Sequence, residues 1–312
     1  MRCLITGGAG FIGSHLVERL VADGHDVRVA DDFSTGREAN LAGFKGIDVR
    51  RCDLVTARLA PLVEERDVVF HLAAVPSVPR SVANPLTSHE AAATATLRLL
   101  LAAREAKVSR FITASSSSVY GNLSTPPMRE TMPTAPRSPY AVAKLAAEGY
   151  TRVFAQLYGM NTVSLRFFNV FGPRQDPSST YAAAIPRFVT AYLRREQPEV
   201  YGDGRQSRDF TYVANVIEAN VAALHAPALS GESVNVAAGS PRTVLDVLRA
   251  ISDLLGYWIE PRFAAARPGD IRDSHADISL ARDLLGYEPR VDFEDGLRLT
   301  IGPLREASRA IA

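Results

Sequence analysis

Tyr140 and Lys144 stand four residues apart, so on a helix they lie one above the other on a single face. A tyrosine phenol at its ordinary pKa of about 10 is too weakly ionised to act as a base near neutrality. An ammonium held close to it, joined by a second positive charge, favours the phenolate and brings that value down. Upstream runs Ser115-Ser116-Ser117-Ser118, and a serine hydroxyl set opposite the phenol, Ser116 above all, can share one substrate hydroxyl with it. Helices contain Tyr-x-x-x-Lys pairs by chance, so the chemical reading depends on what the surrounding elements bind.

The deciding stretch is Thr6-Gly7-Gly8-Ala9-Gly10-Phe11-Ile12-Gly13, between the apolar run Cys3-Leu4-Ile5 and the amphipathic segment from Ser14 to Leu20. It reads as strand, glycine turn and helix start. Gly7 permits a sharp turn, Gly10 lets backbone N–H groups approach a diphosphate, and Gly13 lets the helix sit close on the strand. The helix N-terminus offers unpaired donors and partial positive charge to the phosphates. A second apolar run, Val27-Arg28-Val29-Ala30, leads into Asp31-Asp32, where a carboxylate accepts hydrogen bonds from an adenosine ribose. A 2′-phosphate would meet that carboxylate, so the pattern favours NAD over NADP.

Along the chain, strands are expected at Ile47–Cys52, Val68–His71, Arg110–Ala114 and Thr162–Phe167. Helices are expected from Pro85 to Glu105 and from Tyr140 to about Tyr158. Small residues at Leu72-Ala73-Ala74 would let the backbone pass close beneath a cofactor, and His71 reads as a hydrogen-bonded strand-end histidine. This alternation predicts a doubly wound, Rossmann-type parallel sheet with helices on both faces. Phe210–Tyr212 and Val213–His225 are expected to return to that sheet as a strand and a helix. Residues 1–168 with 210–237 then form the cofactor domain, and 169–209 with 238–312 a smaller α/β lobe, with substrate in the cleft between.

Composition narrows the function further. A net charge of +1 gives no reason to invoke nucleic acid or another polyanion. The cysteines, Cys3 and Cys52, fall on expected strands, which suits free thiols and a cytoplasmic setting. Strand chemistry begins at residue 2 and no long apolar run follows, which argues against a signal peptide or membrane span. No group of side chains has metal-ligand spacing.

Taken together, the motifs resemble the extended short-chain dehydrogenase/reductases, and among them the nucleotide-sugar 4-epimerases. The matching pieces are Thr6–Gly13, Asp31, Asp53, His71–Ala74, Ser115–Gly121, Ser138-Pro139-Tyr140-Ala141 with Lys144, and Arg166-Phe167-Phe168-Asn169. Gly202-Asp203-Gly204, Ser207–Tyr212 and Arg267-Pro268-Gly269-Asp270 follow. The resemblance implies that Asp53, with Leu54 beside it, contacts the adenine. It places Ser116 and Tyr140 on the sugar hydroxyl with Ser117 alongside, and Lys144 on the nicotinamide ribose. Asn169, Arg208, Arg267 and Asp270 would hold the uridine diphosphate half. The implied reaction is epimerisation at C4: Tyr140 takes the 4-hydroxyl proton, NAD takes the C4 hydride, and the 4-keto sugar turns before the hydride returns.

The alternatives separate on single residues. Related 4,6-dehydratases carry Asp-Glu directly after the catalytic hydroxyl, and decarboxylases keep that glutamate; Ser117 and Ser118 cannot do the same proton work. The segment Arg174-Gln175-Asp176-Pro177 with Tyr181-Ala182-Ala183 most resembles UDP-N-acetylglucosamine 4-epimerases. In the family, a tyrosine four residues beyond the Gly-Asp of Arg-x-Gly-Asp accompanies restriction to UDP-glucose and UDP-galactose, and a small residue accompanies acceptance of acetamido sugars. Here that position is Ser274. UDP-glucose, UDP-glucuronate and modified UDP-sugar epimerases are the neighbouring readings. A non-catalytic NAD-sensing protein is the reading from another class, and intact Ser116, Tyr140 and Lys144 oppose it. The family often has Asn-Val-x-Gly-Thr where this chain has Ala92-Ala93-Thr94-Ala95-Thr96. That departure removes an amide near the site, and the Ala95 methyl is expected to widen a helix contact. Pairing of the Pro85–Glu105 and Tyr140–Tyr158 helices between two copies, common in the family, implies a homodimer.

Overall fold

The computed structural model describes residues 1–122, 125–176, 184–266 and 272–311. The strands, in chain order, begin with β1 (Arg2–Thr6), β2 (Asp26–Asp31), β3 (Asp48–Arg51), β4 (Val68–His71), β5 (Arg110–Ser116), β6 (Thr162–Phe167) and β7 (Val170–Phe171). They continue with β8 (Glu199–Tyr201), β9 (Ser207–Asp209), β10 (Thr211–Tyr212), β11 (Ser230–Val236), β12 (Pro241–Thr243), β13 (Arg262–Ala264) and β14 (Asp273–Ser274). Seven of them form one sheet in the order β11-β6-β5-β4-β1-β2-β3, every pair parallel. Helices cover both faces, so β4 and β6 are buried along their whole length instead of alternating. Cys3, Ile5, Val29 and Phe70 belong to the core on one face, and Leu4, Ala30, Val69 and Phe111 to the core on the other. The direction of strand order reverses between β1 and β4. In open α/β sheets such a reversal leaves a crevice at the strands' C-terminal ends, where ligands bind.

Two expectations are corrected. Phe210–Tyr212 does not rejoin the main sheet: β10 pairs with β7 in a separate two-stranded sheet, and the strand that closes the main sheet is β11. Its sequence, Ser-Gly-Glu-Ser-Val-Asn-Val, opens on polar residues and carries little strand signal until Val234 and Val236 enter the core. The Pro85–Glu105 helix is also not uniform. Pro85–His89 and Ala95–Glu105 are α-helical, and Glu90–Thr94 between them is a π turn. Such turns occur mostly as single insertions at functional sites. Here Ala92 and Ala93 pack against Ala143, next to Lys144 on the facing helix, while Ala95 is fully buried in the core.

Beyond β6, apart from β11 and the helix Val213–His225, which packs on β5, β6 and the helix Phe11–Ala22, most elements gather into a second group. Its centre is the three-stranded sheet β12-β9-β14, with β13-β8 beside it. The helices Ala184–Leu193, Val244–Leu255 and Phe293–Ile311 pack on one another there. Thr243 starts the second of these with a reciprocal cap to Asp246, which satisfies two orphan donors at once. Cys3 is buried, Cys52 is partly buried just past β3, and both are free thiols.

Candidate active site

The glycine turn lies at the strand-order reversal. Gly7 has a φ of +70°, and a Cβ there would come within 2.8 Å of the Ala73 backbone nitrogen. The exit of β4 therefore runs directly against the turn, and Leu72, Ala73 and Ala74 are partly buried beside it. A Cβ on Gly13 would lie 2.1 Å from the Gly7 carbonyl oxygen, which is why the helix Phe11–Ala22 can sit so close. Gly10 differs: a Cβ there would touch only the Gly7 oxygen, at 3.2 Å, so its outward side is open. No side chain caps the helix that it starts. Phe11 and Ile12, the first helical residues, are partly buried at that open end. This cradle fits a dinucleotide diphosphate.

Asp31 ends β2 and is buried, its carboxylate accepting from the Ala9 amide (2.9 Å) and the Phe33 amide (2.8 Å). Burial raises its pKa, and the two amides oppose that. It thus braces the glycine turn. Asp32 is exposed and accepts from the Ser34 amide and hydroxyl. Asp53 is exposed just beyond β3 and caps its own turn through the Val55 amide (2.8 Å), with Leu54 buried next to it.

The proposed catalytic residues converge at the C-terminal edge of the sheet. Ser138 caps the helix Pro139–Tyr158 by accepting from the Ala141 amide, and Pro139 occupies its first turn, so Tyr140 enters at a defined angle. Ser116 ends β5, and its hydroxyl accepts from the Ser118 amide at the start of the turn Ser117–Tyr120. Lys144 is buried, and its Nζ donates to the Ala114 carbonyl at 2.8 Å. Burial lowers its pKa to about 8, with the Glu148 carboxylate opposing. The expected lowering at Tyr140 is not found in the chain itself. Burial pushes the phenol above its ordinary value, opposed by a hydrogen bond with Ser116. His71 is buried between two hydroxyls, Thr6 Oγ1 at 2.7 Å and Thr96 Oγ1 at 2.9 Å, and desolvation lowers its pKa to about 3. It is a neutral structural histidine.

In the second lobe, Arg208 on β9 donates to the carbonyls of Ser207 (2.8 Å) and Arg272 (3.2 Å). Ser274 on β14 is its register partner and is buried. Asn169 links the lobes, with a φ of 31° and a carbonyl that accepts from the Thr211 amide. Arg267 and Asp270 lie outside the described residues, as do Pro177 and Tyr181-Ala182-Ala183.

Two organising residues escaped the sequence reading. Asp209, wholly buried, accepts from the amides of Ala238 (3.0 Å), Gly239 (3.0 Å) and Ala276 (3.2 Å), and so joins three segments of the second lobe. Glu148, also wholly buried, pairs with Arg166. Its spacing of four from Lys144 was the available signal.

A Rossmann-type sheet with a Ser–Tyr–Lys group at its edge defines the extended dehydrogenase/reductase class. The sequence profile for GDP-mannose 4,6 dehydratase matches residues 4–300, and the chain belongs to that family. It is 40% identical to a UDP-glucose 4-epimerase of Mycolicibacterium smegmatis over 99% of this chain and 100% of that one. Among solved structures, it resembles the UDP-N-acetylglucosamine 4-epimerase of Methanobrevibacter ruminantium, in complex with UDP-N-acetylmuramic acid. That match has a TM-score of 0.93 and 40% identity, covering 99% of this chain and 98% of the other. It also resembles the UDP-glucuronic acid 4-epimerase of Bacillus cereus, in complex with UDP-glucuronic acid and NAD, with a TM-score of 0.91, 32% identity and full coverage of both chains.

Proposed function

We propose that this chain is an NAD-dependent UDP-sugar 4-epimerase whose substrate pair is UDP-N-acetylglucosamine and UDP-N-acetylgalactosamine. The class is supported by the family, by relatives of several UDP-sugar specificities, and by the Ser116, Tyr140 and Lys144 arrangement. NAD, which the glycine turn and Asp31 would hold, would supply reversible hydride acceptance at C4 and a positive charge. Tyr140 takes the 4-hydroxyl proton and later returns it, and Ser116 holds that hydroxyl in line. Lys144 keeps positive charge beneath the pair and bonds the nicotinamide ribose. That charge and the cofactor's own offset the burial that raises Tyr140. Arg208, with Asn169, Arg267 and Asp270, anchors the diphosphate half while the hexose turns.

The finer assignment rests on Ser274. A small, buried residue at the sugar-facing position leaves room for an acetamido group that a phenol ring would fill. Separate incubations with UDP-N-acetylglucosamine, UDP-glucose and UDP-glucuronate, followed by separation of the epimers, test it. Conversion of the acetylated sugar is expected, with or without slower conversion of UDP-glucose. Turnover of UDP-glucuronate alone, or of none of the three, overturns the assignment.

The cofactor domain of residues 1–168 with 210–237, and the sugar lobe of 169–209 with 238–312, belong to the same reading. So does a homodimer formed through the Pro85–Glu105 and Tyr140–Tyr158 helices, which carry exposed Leu86, Leu101, Val142, Val153 and Leu157. A monomer in sedimentation at micromolar concentration would remove the dimer.

A further inference from the structure

One row of the main sheet, just before Ser116, is polar where a buried parallel sheet is ordinarily apolar. Ser115 on β5, Arg166 on β6 and Asn235 on β11 are register neighbours. Glu148, on the helix above, accepts from Arg166 Nε at 2.9 Å and Nη2 at 2.7 Å, from Ser115 Oγ at 2.5 Å and from Ser233 Oγ at 3.1 Å. The remaining Arg166 nitrogen, Nη1, donates to the Tyr120 hydroxyl at 2.8 Å, with the guanidinium 4.8 Å from the ring centre. That hydroxyl donates in turn to Asn235 Oδ1 at 2.7 Å. Asn235 Nδ2 then donates to the carbonyls of Met128 (2.9 Å) and Asp277 (3.2 Å). Met128 is tied to the same segment a second time: its amide donates to the His275 carbonyl at 2.8 Å, and its own carbonyl accepts from the Asp277 amide at 2.9 Å.

The chain of bonds therefore begins one helical turn from Lys144 and ends one residue from Ser274. Glu148, Arg166, Tyr120 and Asn235 are all buried. A buried ion pair is a weak source of stability, because desolvation cancels most of the attraction and apolar residues of equal volume often do as well. What such a network supplies is fixed geometry: a planar guanidinium and a carboxylate meet in one orientation, and each further bond is directional. Other directional bonds join the same parts of the molecule, among them exposed Arg129 to Asp277 and Asn215 to the Arg290 and Val291 amides, but the Tyr120–Asn235 link is the one that runs on from the Glu148–Arg166 pair beneath the catalytic helix.

We propose that Tyr120 and Asn235 are positioning residues for epimerisation: through them the buried chain holds the Ser274 segment at a set distance from Tyr140 and Lys144. This rests on the reading that Ser274 faces the sugar. Loosening the link leaves NAD binding and proton transfer intact but lets the hexose sit wrongly for hydride return.

The test compares purified holoenzymes: wild type, Tyr120→Phe, Asn235→Asp and Thr162→Val. Thr162 lies at the opposite end of β6, and its buried hydroxyl donates to the Thr151 carbonyl on the same catalytic helix. Its loss also removes one buried hydrogen bond, which makes it the stability control. Tyr120→Phe is expected to lower kcat by about 10- to 100-fold with KM little changed, as small misplacements do. It should also accumulate NADH fluorescence during turnover, because ketosugar escapes before the hydride returns. Asn235→Asp keeps the acceptor for Tyr120 but loses the Nδ2 donor to the Met128 and Asp277 carbonyls, and should reproduce the effect; it carries the test if Tyr120→Phe fails to fold. Thr162→Val should lose similar thermal stability with kcat unchanged. Wild-type kcat in both link variants, or equal kcat loss in Thr162→Val, overturns the inference. Wild-type turnover with a sugar preference unmoved by Ser274→Tyr would strike the reading of Ser274 instead.

Discussion

The glycine turn and the Ser274 region, the proposed cofactor and sugar ends of the site, are built in opposite ways. Around Gly7, Gly10 and Gly13 the structure is made of backbone, and the identities of Gly7 and Gly13 follow from what a Cβ would strike, while Gly10 keeps the outward side open. Around Ser274 side chains take a larger part: Asp209 and Asn235, together with the Met128 backbone, bond residues 275 to 277 directly after a two-residue strand that would be too short to stand alone. The first region lies within a few residues of chain, whereas the second joins residues from 128 to 277. A backbone cradle for diphosphate tolerates no side chain but needs no partner. A sugar pocket can be retuned by one substitution, provided its supports stay in place.

Between these ends lies the chemistry, and the largest effect is expected there. Tyr140→Phe should keep fold and bound NAD and lose activity by about 10²- to 10⁴-fold, the usual contribution of a positioned base. Epimer assays beside analysis of nucleotide released on denaturation check this, and near-wild-type turnover would defeat the mechanism. Gly13→Ala probes the cofactor end. Its methyl would meet the Gly7 carbonyl, so the turn must open, at a cost toward the upper end of about 1–3 kcal/mol. The protein should purify with much less NAD. Full retention would mean the turn yields more easily than its geometry implies.

Ser274→Tyr probes the sugar end. Overpacking should cost the acetylated pair about 1–3 kcal/mol in kcat/KM while sparing UDP-glucose, measured on both sugars with one preparation. An equal loss on both would mean the substitution disturbs the lobe and not the pocket.

The smallest effect concerns His71, which ties β4 to the glycine turn through Thr6. Its folded pKa of about 3 lies below the ordinary 6.5, so on acidification the unfolded chain takes up this proton first and stability falls between those values. At pH 5.5 the deficit relative to pH 7 is about 1.3 kcal/mol. His71→Gln should remove that part of the pH dependence, read as the difference in urea midpoints at the two pH values. Parallel pH dependence in both proteins would show that His71 is protonated in the folded state.

Much of the site was legible in the residues because its spacing is local. The glycine turn, Asp31 after the second strand, and Tyr140 and Lys144 on one helical face each depend on a period or turn within a short window. Val68–His71 and Thr162–Phe167 were readable as strands for a related reason: the first is a short apolar run, as suits a strand buried on both faces, and the second alternates with period two. Strand β11 was not, since its polar residues serve partners elsewhere: Ser233 bonds Glu148, and Asn235 bonds Tyr120. Nor could sequence show that Tyr140's phenol is raised by burial, because desolvation belongs to the assembled site.

By itself, then, the sequence determined whatever sterics and periodicity enforce over one strand, turn or helix: the parallel fold, the dinucleotide cradle and the Ser116, Tyr140 and Lys144 set. Tertiary structure alone decided which strand closes the sheet, where the long helix takes a π turn, and which charges meet in its interior. Those outcomes depend on contacts between residues far apart in the chain, such as Glu148 with Arg166 and Asn235 with Asp277. A hydrogen bond's partner is chosen by the packed geometry around it, and no local pattern encodes that choice.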